Sequence, residues 1–223
     1  MTVAVRDVLL IFAALLPIVN PLGMAPIFAE MTLRYPDAVR RTVAFRVAVN
    51  GVALLLASLF IGSYVLQFFG ISLAAVQVGG GLVVALAGWQ ILNKKSDVSD
   101  ISDRQVSTPD NQELLSQAFY PLTMPLTVGP GSIAVALTLG SNLHEEHRLQ
   151  LIFSALTAII GIVLIGIAIY LCYRFSEGLQ RLLGPTGTSI LIRLSAFIVV
   201  CIGIQIMFNG LEGFYRALKE VVR

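Results

Sequence analysis

Two short stretches hold the residue types best suited to chemistry. The first carries Pro17, Asn20, Pro21, Gly23 and Pro26; the second carries Pro121, Thr123, Pro125, Thr127, Gly129 and Pro130, followed by Gly131 and Ser132. Three prolines recur at identical spacing in the two stretches. Each proline removes a backbone donor and crowds the carbonyl about one turn earlier, so neither stretch can run as an unbroken helix. Broken helices expose polar backbone. Half-helix N-termini favour negative charge, whereas half-helix C-termini and unwound carbonyls favour cations.

The side chains around the prolines extend this chemistry. Asn20 has an amide that could bind a carboxylate or amine, give an oxygen to a cation, or cap the broken helix. Thr123, Thr127 and Ser132 place hydroxyls at the second break, for a ligand or for bonding back to helix carbonyls. Gly23, Gly129 and Gly131 permit close backbone approach, to a ligand or to a neighbouring helix. Further along, Arg193 could hold a solute carboxylate, snorkel to the membrane boundary, or pair with carbonyls. Gln77 could bond a ligand or a partner helix. Glu30 reads as a solvated helix-end carboxylate, and His144 and His147 as a solvated loop face, since their spacing differs from a zinc-protease helix motif. No phosphate-binding loop and no nucleophile–base constellation can be assembled. No enzyme, cofactor or metal site is expected.

The elements that position these groups must be membrane helices. Hydrophobic residues make up 57% of the chain, charged residues 13%, and mean hydropathy is +0.85, whereas about a quarter of a soluble domain is charged. A hydrocarbon core about 30 Å thick needs roughly 20 apolar residues per helix. Six spans satisfy this, at Val8 to Glu30, Thr42 to Phe68, Leu73 to Leu92, Gln117 to Leu139, Leu149 to Tyr173 and Ser189 to Asn209. The expected fold is an all-α polytopic membrane protein. Its parts are a first three-helix repeat (1–93), a flexible polar, cytoplasmic linker (94–115) and a second repeat (116–223). The first and fourth helices are the broken ones. Three spans per repeat is an odd number, so the second repeat enters the membrane inverted. Gly79, Gly80 and Gly81 with Gly88 and Gln90 are echoed, slightly shifted, by Ser195, Ala196, Gly203 and Gln205. Such small residues suit close helix packing.

Charge and cysteine usage narrow the class further. The formal charge of +2 is scattered and gives no nucleic-acid footprint. Short-loop basic residues divide unevenly. Arg34, Arg40, Arg41, Arg46, Lys94, Lys95, Arg104, Arg174 and Arg181 fall on one side, and Arg6, Arg148, Arg216, Lys219 and Arg223 on the other. The positive-inside rule makes the first side cytoplasmic, with both termini exterior. Leu9 to Leu16 lacks a convincing cleavage site and is expected to be retained. Cys172 and Cys201 fall in apolar spans and behave as small hydrophobes. The partners implied are the lipid bilayer and a small-molecule substrate bound between paired breaks, as in a transporter. A coupling cation of unidentified kind and a homo-oligomer are both compatible with this reading.

The run from Asn20 through Pro26, with Pro121 through Gly131, resembles the MarC family of prokaryotic inner-membrane proteins over nearly the whole chain. Gly70 to Ala75 with Gly79 to Gly81, and Gly187 through Arg193, add to the resemblance. It implies six spans, and some members are described as transporters of small neutral amino acids such as glycine and alanine. Gln77 departs from the family pattern, where related sequences often carry Arg, and this bears on charge balance and substrate preference. The expected function is alternating-access transport of small polar solutes. A channel-like pore and a non-transporting membrane interaction subunit are the alternatives.

Overall fold

The computed structural model describes residues 2–93, 111–142 and 148–221. Every regular element among them is helical: α1 (Thr2–Val19), α2 (Pro21–Thr32), α3 (Asp37–Phe69), α4 (Leu73–Asn93), α5 (Asn111–Ser116), a π-helical segment (Ala118–Thr127), α6 (Pro130–Asn142), α7 (Arg148–Arg174) and α8 (Ser176–Val221). Lys94, Lys95, Arg104, His144, His147 and Arg223 lie outside the described residues, as does most of the expected linker. The linker's last residues depart from expectation. They form α5, whose Leu114 is buried against the core, because the Leu114–Leu115 pair gains more from burial than a polar tether would.

Among the described residues, four helices are long and apolar enough to cross a membrane: Asp37–Phe69, Leu73–Asn93, Ile152–Arg174 and Thr186–Lys219. Two bent pairs pass the same test together, α1 with α2 at 42° and the π segment with α6 at 72°. Each bend is less than a right angle, so the second limb keeps advancing, and counting each pair as one span gives six. Large apolar side chains such as Phe68, Ile190 and Phe208 are exposed along these helices. In water that would be a liability; against lipid tails it is the expected outer surface.

The matched prolines do not produce matched breaks. In the first stretch the chain leaves the helix at one residue, Asn20, whose φ of 47° and ψ of 53° are left-handed. Pro21 takes the first position of α2, where its missing N–H would have been unpaired anyway. Pro17 and Pro26, expected to mark the break, lie inside α1 and α2. One left-handed residue already redirects the chain, so no further unwinding is needed. In the second stretch all three prolines take part. Pro121 and Pro125 follow cis peptide bonds inside the π segment, and Pro130 opens α6.

Packing between the two halves is reciprocal. α1 and α2 pack on α7 while the π segment and α6 pack on α3; α2 meets α8 while α6 meets α4; and α3 meets α7 as α4 meets α8. Exchanging corresponding helices leaves this set unchanged. The α4–α8 crossing is the most extensive contact among the described residues. A methyl on Gly81 would come within 2.6 Å of the Gly203 carbonyl oxygen, one on Gly88 within 2.9 Å of the Ala196 oxygen, and one on Gly210 within 2.7 Å of the Ala74 oxygen. The small residues Ala74, Gly81 and Gly88 thus face Gly210, Gly203 and Ala196, an antiparallel register at seven-residue steps that lets the backbones nearly touch.

Candidate functional site

The two breaks meet at a cavity of about 120 Å³. Ile18, Val19 and Met24 line it from the first break, and Pro125, Leu126, Thr127, Gly129, Pro130, Gly131 and Ser132 from the second. α4 adds Val83, Val84, Ala87, Gly88 and Ile91, and α8 adds Val199. No charged side chain lines the cavity among the described residues. Its polarity comes from backbone and hydroxyls.

The hydroxyls at the second break donate to nearby backbone carbonyls. Thr123 Oγ1 donates to the Ala118 carbonyl at 2.6 Å, Thr127 Oγ1 to Leu122 at 2.7 Å, and Ser132 Oγ to Gly129 at 2.8 Å. Each hydroxyl has one hydrogen, so what remains to face the cavity from Thr127 and Ser132 is acceptor capacity. Tyr173, fully buried, extends this chain: its hydroxyl lies 2.7 Å from Thr127 Oγ1. Because the Thr127 hydrogen is committed to Leu122, Tyr173 is the donor. The Tyr173 ring stacks on Phe28 of α2, with centroids 4.4 Å apart and planes at 16°. One side chain on α7 therefore touches both broken helices.

At the first break the backbone amide of Gly23 donates to Asn20 Oδ1 at 3.2 Å, which caps α2. The Asn20 Nδ2 is buried without a hydrogen-bond partner, a state that costs about 1–3 kcal/mol for an ordinary buried donor. Gly23 allows the crowding here. A methyl on it would sit 2.5 Å from Asn20 Nδ2 and 2.6 Å from Ser195 Oγ on α8. Pro21 and Gly23 are buried at this junction. Gly131 faces α4 so closely that a methyl would overlap Val84, and one on Gly129 would come within 3.3 Å of the Pro125 oxygen.

The other expected site residues lie elsewhere. Gln77 Nε2 donates to Thr138 Oγ1 at 3.1 Å, joining α4 to α6. It stands two turns, about 10 Å, from Val84 along α4. Arg193 is exposed on α8 and does not line the cavity. Glu30 is exposed at the end of α2. Tyr173 and Val84 carry no sequence signal of their own, since an aromatic at a span end and a valine mid-span are ordinary membrane residues. Ser195 was visible only as part of the small-residue echo.

Helices that all bury apolar faces, two of them broken around a shared, mostly apolar cavity, define an all-helical polytopic membrane protein. The description MarC family integral membrane protein matches residues 5–215, and the chain belongs to that family. It is 28% identical over 198 residues to the inner membrane protein MarC of Salmonella typhimurium, covering 88% of this chain and 90% of that one. It is 29% identical over 205 residues to a membrane protein of Methanocaldococcus jannaschii, covering 92% and 96%. No solved structure matches the chain.

Proposed function

We propose that this chain is a secondary transporter of small neutral solutes, most simply small neutral amino acids, working by alternating access in the inner membrane. The cavity shared by the two breaks is the observation that carries this reading. A site between discontinuous helices of two repeats is the arrangement by which transporters hold solute while one repeat rocks against the other. In support, the reciprocal packing and the antiparallel α4–α8 crossing fit two inverted three-helix halves, 1–93 and 116–223, joined by a polar linker. The uncharged lining suits a solute without net charge, and the remaining acceptor capacity of Thr127 and Ser132 suits an ammonium or hydroxyl donor on it. The volume lies well below the roughly 300–1,000 Å³ of drug-sized pockets. The inner-membrane placement draws on the name of the Salmonella relative.

Purified protein in liposomes is expected to exchange labelled glycine or alanine with saturable counterflow. Gly131→Val, whose side chain would be driven against Val84 in the cavity wall, is expected to abolish exchange while Arg193→Ala leaves it near the parent rate. No exchange across a broad panel of small neutral solutes overturns the reading, and single-channel currents without counterflow replace the carrier with a pore.

A further inference from the structure

The short stretch 176–183, between the end of α7 and the kink inside α8, makes polar contacts that membrane packing alone does not require. Glu177 pairs with Arg40 on the first turns of α3, and Gln180 Nε2 donates to the Pro26 carbonyl of α2 at 3.0 Å. Ser176 is fully buried and its hydroxyl donates to the Tyr173 carbonyl at 2.8 Å. Arg40 is only 8% exposed, and its Nε is buried without a hydrogen-bond partner. Glu177 is therefore what makes that burial tolerable, and also lies 3.8 Å from the exposed Arg181.

The stretch ends at Gly184, whose φ of 64° and ψ of 178° fall in a region essentially confined to glycine. At its other end the stretch is hydrogen-bonded to α7, Phe175 N–H to the Leu171 carbonyl and Leu179 N–H to the Phe175 carbonyl, both at 3.0 Å, so it moves with the end of α7 while Gly184 uncouples it from the spanning part of α8. Its grip is not graded, because separating Glu177 from Arg40 strands a buried guanidinium. What it grips matters too. Pro26 lies just beyond Met24, which lines the cavity, and α2 is the limb of the first break that must move if solute is to leave at this end.

We infer that 176–183 is a latch. It ties α2 and α3 to α8 through Gln180 and Glu177, hinges at Gly184, and closes the end of the solute route where α3 begins and α7 ends. This inference rests on the transporter reading above, and its test reads opening directly rather than flux.

In protein with Cys172 and Cys201 replaced by alanine, Met24→Cys reports access to the cavity through its labelling rate with a membrane-impermeant maleimide in nanodiscs. Slow labelling is expected with the latch intact, and Glu177→Gln should raise the rate at least about tenfold because the buried pair is broken. The charge-reversed pair Arg40→Glu with Glu177→Arg should return it towards the slow rate. Gln180→Leu, which leaves no buried charge unpaired and so carries the test if Glu177→Gln does not fold, should also accelerate labelling. Rates unchanged by Gln180→Leu and Glu177→Gln, or a reversed pair that labels as fast as Glu177→Gln alone, overturn the latch. Unchanged rates with intact counterflow refute the latch and leave the transporter reading standing; latch behaviour with no flux of any solute does the reverse.

Discussion

Asn20 caps α2 through Oδ1 while its Nδ2 is buried without a partner, and substitutions can separate the turn from the amide. Asn20→Ala loses the Oδ1 cap, worth about 1 kcal/mol, and replaces a residue that tolerates left-handed backbone by one that does not, at a further cost of about 1–2 kcal/mol. Asn20→Gly loses the same amide but adopts the left-handed turn without strain. Thermal unfolding in detergent is expected to rank parent, glycine variant and alanine variant in falling stability. If the amide serves solute, exchange falls in both variants, including the better-folded one. The Tyr173–Thr127 pair should show the coupling of two groups in contact. Tyr173→Phe and Thr127→Val are each expected to cost about 1 kcal/mol, and their combination less than the sum; strict additivity in unfolding measurements would mean the hydroxyls do not interact. The sequence showed that the chain breaks near Asn20, because proline chemistry is local. It did not show which of three prolines sits at the discontinuity, since one residue's dihedrals decide that. Tyr173 was out of reach because its partners, Phe28 and Thr127, lie far away in the chain.

Among the helices, the α4–α8 crossing gives the sharpest contrast. Gly81→Leu and Gly203→Leu should each drive a side chain into the facing backbone and sharply lower folded yield, whereas a methyl on Gly79 would meet nothing within 4 Å and Gly79→Leu should be tolerated. Size-exclusion profiles of the detergent-extracted variants check this; equal losses at Gly79 and Gly81 would contradict the crossing. The run of three glycines was legible as a packing surface, but composition cannot say which glycine points at which neighbour. The register does, through Gly203 and Ala196. The two proline stretches teach a related lesson. Their equal spacing was legible and their unequal shapes were not, because the first chain turns at a single left-handed residue while the second unwinds over a π segment.

At the scale of the molecule, Arg40, Arg41 and Arg181 gather where α3 and α8 begin, with Arg40 and Arg181 sharing Glu177 and Arg41 pairing with Asp37 at 2.9 Å. With that end cytoplasmic, a C-terminal alkaline phosphatase fusion should be active and a C-terminal green fluorescent protein fusion dark; the opposite pair of results reverses the orientation. Hydropathy made the six apolar stretches legible, since the bilayer sets their length. The pairing of one half with the other depended on side-chain register, which hydropathy does not encode. That register has a further consequence. Ala74, Gly81 and Gly88 meet Ala196, Gly203 and Gly210 through stripes of the same make-up and the same stride, so neither surface is shaped for a unique mate. A lone three-span unit bearing the first stripe could dock against a copy of itself threaded through the bilayer the other way.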